Sequence, residues 1–221
     1  MRSYLKVAAL ALTAAVAGAA AVTAPAAMAA TPSCGSSCVE PFVAANGAKF
    51  DLDVFKQGQN VGQPVILFQR SNDDPALDWN ISDEGTVDQF LAAGLVTKAF
   101  ALQYGNLDAY EIEYAPYGAD TGLCMGTAAL TPLFNGMKVS LQPCGETSAT
   151  VWAVLPVSGK YSEAISGADA NFAEPYVLTY PAGASPTQTP RPQLYVHTQQ
   201  QFANGTDYDN ELWSATDGVV K

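Results

Sequence analysis

The chain has 221 residues, and 10 Lys and Arg stand against 21 Asp and Glu, a formal net charge of −11. Nothing in that balance neutralises phosphate, so nucleic acid is excluded as a partner and an anionic membrane surface is disfavoured. With 48% hydrophobic and 14% charged residues, the composition is that of a globular chain able to bury a core.

The N-terminus reads as an export signal. Arg2 and Lys6 give a positive start, Val7 to Ala21 is apolar, and Ala27-Met28-Ala29 has the small-x-small form of a cleavage site. The run is about 15 residues, short of the roughly 20 a bilayer span needs, and Pro25 breaks the stretch beyond it. Its Ala-rich style is that of a bacterial leader. A signal over 1–29 leaves 221 − 29 = 192 residues, one domain's worth. Losing Arg2 and Lys6 takes the charge to 8 − 21 = −13. A soluble, extracellular protein is the expectation, with an N-terminal segment at 30–39 and a single domain over 40–221.

Four cysteines in an exported chain predict disulfides. Three pairings are possible, and the expected one is Cys34–Cys38 with Cys124–Cys144. The Cys34-Gly-Ser-Ser-Cys38 loop has one residue too many for a Cys-x-x-Cys redox pair.

Along the chain, alternation at period two predicts strands at Lys49–Phe55, Ala109–Tyr114 and Pro175–Tyr180. Gly and Pro clusters at 57–62 and 182–186 mark loops. One stretch, Val87 to Leu95, has the pattern of a short helix, or else belongs to a link between units.

The three tryptophans of the chain recur behind one pattern. Val65-Ile66-Leu67-Phe68 leads through a polar stretch to Trp79, Val139-Ser140-Leu141-Gln142 to Trp152, and Leu194-Tyr195-Val196-His197 to Trp213. Their spacings are 73 and 61 residues. Each unit opens with a strand (Phe50 to Phe55, Leu123 to Ala128, Tyr176 to Tyr180), passes a Gly-, Asn- or Pro-containing loop, and ends at its Trp. Repeats of this kind bury together a face that none can bury alone. The expectation is an all-β closed barrel capped by hairpins, with lobes at about 40–83, 109–155 and 173–221, insertions at 84–108 and 156–172, and the indoles in the core.

These fragments resemble the β-trefoil of ricin-type lectins and of related carbohydrate-binding modules. Asn46-Gly47 through Asp51-Leu52-Asp53-Val54 resembles the opening of a family repeat. Gly122-Leu123-Cys124 with Pro143-Cys144 resembles a second copy with its internal disulfide, and Asp209-Asn210-Glu211-Leu212-Trp213 resembles the end of a third. The resemblance implies one shallow sugar pocket per lobe, in which a carboxylate takes sugar hydroxyls, an aromatic stacks on the C–H face and an Asn before the Trp completes the set. Lobe one has Asp53 and Phe68, with Asn72, Asp73 and Asp74 near the Asn position. Lobe two has Gly126 and Gln142 in place of carboxylate and ring. Lobe three has Thr179, His197 and Asn210. The candidate carbohydrate-binding residues are therefore Asp53, Phe68, Asn72, Asp74, His197 and Asn210.

Enzyme patterns are weak. His197 is the only histidine, and no Gly-x-Ser-x-Gly, Gly-x-Gly-x-x-Gly or Walker pattern occurs. Asp207 and Asp209 are too few for a calcium site. Glu111 and Glu113, on one face of a strand, read as a solvent-facing edge rather than a glycosidase pair. The expectation is no catalysis, no metal and no cofactor, with a carbohydrate as partner or, alternatively, a secreted protein such as an extracellular hydrolase.

Overall fold

The computed structural model describes residues 38–43, 50–69, 79–128, 132–185, 187–201 and 208–217. Among the described residues, twelve strands fall into three sets of four. The first set is β1 (Cys38–Val43), β2 (Phe50–Val54), β3 (Val65–Gln69) and β4 (Trp79–Thr86). The second is β5 (Asp108–Tyr114), β6 (Leu123–Thr127), β7 (Met137–Pro143) and β8 (Val151–Ser158). The third is β9 (Tyr161–Ser166), β10 (Tyr176–Thr179), β11 (Tyr195–Thr198) and β12 (Trp213–Asp217). Each lobe thus has a strand before the one read as opening its unit: β5 matches the strand predicted at Ala109–Tyr114, whereas the sequence pattern does not predict β1 and β9. β9 lies inside 156–172, the stretch read as an insertion.

The first and last strands of the lobes close a ring. β1 pairs with β4, β4 with β5, β5 with β8, β8 with β9, β9 with β12 and β12 with β1, all antiparallel. A closed ring has no unpaired edge to protect. The middle strands form three hairpins, β2–β3, β6–β7 and β10–β11, over one end of the barrel. These are stitched in a cycle: Gly62 N–H donates to Leu141 O, Gly136 N–H to Val196 O and Leu67 N–H to Pro192 O. Six barrel strands under a three-hairpin cap make the all-β trefoil that the sequence predicts.

The three indoles are equivalent. Trp79 donates its Nε1–H to Leu52 O at 3.2 Å, Trp152 to Met125 O at 2.9 Å, and Trp213 to Leu178 O at 2.8 Å. All three tryptophans are buried, as are the acceptor residues. Each bond ties the fourth strand of a lobe to its second, and satisfies a polar group that burial would otherwise strand. Leu67, Leu141 and Val196 complete the same apolar layer from the third strands.

A second apolar cluster lies on the outer wall. The 84–108 segment carries two short helices, α1 (Val87–Ala92) and α2 (Lys98–Tyr104). Thr86 and Gln89 form a capping box at the start of α1, and Thr97 caps α2 through Phe100 N–H. Phe90, Phe100 and Tyr104 pack on Ala109, Ala153, Ile165 and Val177 of the wall. The stretch is therefore both a link and helical.

Candidate functional site

Register fixes which side chains share a face in lobe one. Asp51 pairs with Phe68 and Asp53 with Ile66 across the β2–β3 hairpin. Side chains alternate along a strand, so these four lie on one face while Leu52, Val54, Val65 and Leu67 fill the core on the other. Asp53 and Phe68 are thus diagonal neighbours on the outer side. Their surroundings differ from a solvated strand face, because Asp51 is fully buried and Asp53 is only 5% exposed. The Asp53 carboxylate accepts from Val54 N–H at 2.6 Å.

Phe68, which is partly exposed, has a neighbour that local sequence does not reveal. The Arg191 guanidinium sits over its ring at 4.8 Å from the centroid. Arg191 belongs to the β10–β11 connection of lobe three, and it is flanked by Pro190 and Pro192, which restrict the backbone there. The same connection bonds to β3 through Leu67 N–H to Pro192 O and Leu194 N–H to Val65 O. Lobe one therefore places a buried carboxylate and a partly exposed aromatic ring on one face, with a planar cation over the ring. Asn72 and Asp74 lie outside the described residues.

The same register identifies the counterparts. In lobe two, Cys124 pairs with Gln142 and Gly126 with Ser140. In lobe three, Val177 pairs with His197 and Thr179 with Tyr195. Gly126 stands where Asp53 does, and a Cβ there would meet Ala149 O at 2.7 Å. The turn at Ser148–Thr150 fills the space a carboxylate would need. The Cys124–Cys144 disulfide is present, whereas the Cys34–Cys38 pair lies outside the described side chains.

In lobe three the candidates are held by separate partners. His197 Nδ1 is 2.8 Å from Thr198 O, and its ring meets Tyr195 edge-on at 6.3 Å. Asn210 is buried, and its Nδ2 donates to Tyr180 O at 2.9 Å while Tyr180 N–H returns a bond to Asn210 O at 3.3 Å. Asn210 thereby clasps the end of β10. The Thr179 hydroxyl donates to Val177 O.

Glu111 and Glu113 correct the expectation of a solvent-facing edge, since both are buried. Glu111 accepts from Gly145 N–H at 3.0 Å and from the Thr150 hydroxyl. Glu113 accepts from Gly122 N–H. Burial raises the Glu113 carboxyl above its ordinary value, and the Gly122 N–H works against that rise. The two acids anchor the loops of lobe two and belong to its framework.

No family model matches the chain, and no curated protein sequence matches it. Solved structures do. The chain is similar to the designed 3-fold symmetric protein ThreeFoil at 13% identity, with a TM-score of 0.56, over 82% of this chain and 99% of that one. It is similar to a mosquitocidal holotoxin at 11% identity and a TM-score of 0.54, over 82% of this chain but only 17% of the toxin. It is also similar to the mdaA-1 domain at 13% identity and a TM-score of 0.52, over 86% of this chain and 96% of that one. At such identities the likeness is one of fold, and the fold is the β-trefoil.

Proposed function

We propose that this is a secreted, non-catalytic binding protein of lectin-like descent that recognises carbohydrate weakly, through lobe one. The observation that carries the reading is the shared face of Asp53 and Phe68 with Arg191 stacked on the ring. Sugar hydroxyls are recognised by charged groups in fixed geometry, and a C–H face by a flat apolar plate. Arg191, lying over that ring, adds a planar donor fork to the site. Lobe two has lost the space for such a group at Gly126, and lobe three uses Asn210 internally, so each chain has one site. Export rests on the Arg2–Ala29 segment, and the lack of a recognisable catalytic motif in the sequence supports a binding role.

The test is titration of an extracellular-glycan panel with wild type, Arg191→Ala and Phe68→Ala. Binding weakened about tenfold or more by either variant supports the site, a loss of about 1.4 kcal/mol. Unchanged affinity in both variants removes it.

A second reading is a protein-binding trefoil, such as an inhibitor of an extracellular hydrolase. It is favoured by the cation already resting on Phe68 and by Leu102 of α2, which is 79% exposed on the helical insertion. Capture of a secreted hydrolase that is lost in Leu102→Asp, with no glycan bound, selects it.

A further inference from the structure

Among the described residues, the end of the barrel opposite the hairpin cap holds a cavity, and its interior is incompletely filled. The cavity there has a volume of about 900 Å³. Its floor is the layer of Leu52, Met125 and Leu178 that receives the three indole N–H groups. One step toward the mouth, the barrel needs a layer of six side chains, one from each strand of the ring. Pairing assigns them. Trp79 opposes Tyr114 and Trp213 opposes Val43, so two residues further toward the mouth the ring is Pro41, Ile81, Ile112, Val154, Ala164 and Ala215. All but Pro41 remain partly or fully exposed, although strand alternation turns them inward.

The cause of the void is legible in that ring. Lobe one supplies Pro41 and Ile81, and lobe two supplies Ile112 and Val154. Lobe three supplies only the methyl groups of Ala164 and Ala215. An interior of ordinary density has no gap of this size, because unfilled space forfeits dispersion contacts along its lining. At the rim stand the polar side chains of Asp83, Glu84 and Lys160, all exposed, with the Lys160 ammonium held 4.9 Å from the Phe42 ring centroid.

We propose that this barrel mouth is a second binding site, separate from lobe one, for a small, mainly apolar molecule. Its hydrocarbon part seats against Ile81, Ile112 and Val154 in the space that Ala164 and Ala215 leave, and its polar end stays at the rim. Volume and composition fit the general form of small-molecule sites, which are concave, largely apolar and edged by a few polar groups. The site is in a different part of the fold from Asp53 and Phe68, so it stands whether or not the protein takes sugars.

The experiment is a fluorescence titration with N-phenyl-1-naphthylamine, an uncharged apolar probe, on wild type, Ala164→Leu and Ala215→Leu. Saturable one-to-one binding is expected in wild type, weakened roughly tenfold or more in each filled variant, with far-UV circular dichroism and melting preserved. Methyl resonances of Ile81, Ile112 and Val154 are expected to shift on titration, while those of Ile165 and Val177 on the outer wall stay still. This readout uses wild type alone and decides the matter if a filled variant fails to fold. No saturable binding, equal binding by both folded variants, or shifts confined to the outer wall overturns the proposal.

Discussion

Replacing Trp152 with Phe tests the threefold construction where it is most exposed to failure. The substitution deletes the Nε1–H that donates to Met125 O at 2.9 Å, inside a fully buried layer. An orphaned buried acceptor costs about 1–2 kcal/mol beyond relaxation. The smaller ring leaves about 40 Å³ unfilled, which at about 24 cal/mol per Å³ adds about 1 kcal/mol. The sum is about 2–3 kcal/mol, or a fall in Tm of about 5–10 °C for a domain of this size. The same reasoning applies to Trp79→Phe and Trp213→Phe, whose bonds run to Leu52 O and Leu178 O. Urea denaturation of the three variants is expected to give losses within about 1 kcal/mol of one another, since one mechanism underlies all three. A loss below about 1 kcal/mol at any of them, or a variant that stabilises, refutes the claim that the indole bonds hold the lobes.

Opening the Cys124–Cys144 bond, which spans 20 residues of sequence, should cost about 3 kcal/mol by loop entropy, read as a lower denaturation midpoint for Cys124→Ser/Cys144→Ser. Gly126→Asp, which restores a carboxylate to lobe two, should instead destabilise by about 1–3 kcal/mol because its Cβ meets the Ala149 carbonyl, and glycan titration should show no added site. Burial, and then the Asp169 charge, push the Tyr104 phenol up to about 12. With the folded value above the ordinary 10, the native state keeps a proton that the unfolded chain loses, so stability falls as pH rises from about 10 to 12. Tyr104→Phe should flatten that alkaline slope, leaving a remainder from Tyr180, also pushed up to about 12. The Tyr104 hydroxyl is buried without a hydrogen-bond partner among the described residues, so the variant should be neutral or slightly stabilising at pH 7 by urea denaturation.

The tryptophans were the legible part of the fold because each is large, buried and locally flanked by an apolar strand. β9 was hidden for a converse reason. Its interior residues are Ser162, Ala164 and Ser166, while the apolar Ile165 faces outward beneath the helices, so its hydrophobic signal points the wrong way. The helices were half legible, since Thr86 and Gln89 spell a capping box but the segment is short. In lobe one, register places Asp53 and Phe68 on one face, which counting along the two strands anticipates. Arg191 was out of reach, because it arrives over 120 residues later in the chain on a neighbouring hairpin's loop. The burial of Asp51 and Asp53 was also invisible, as local pattern gives strand faces but not what later covers them. Glu111 and Glu113 misled similarly: their backbone donors, Gly145 and Gly122, lie on turns of a different local sequence.

The ring's last pairing, Val39 with Asp217, brings the first and last strands onto neighbouring staves, with their outer ends at one rim. A few flexible residues would bridge them, and the polypeptide can then be cut anew at the Gly159–Lys160 turn, between lobes two and three, without breaking a single stave. Such a circular permutant would start at lobe three, and comparing how fast it and the parent fold would reveal whether one lobe leads assembly or all three are interchangeable starting points.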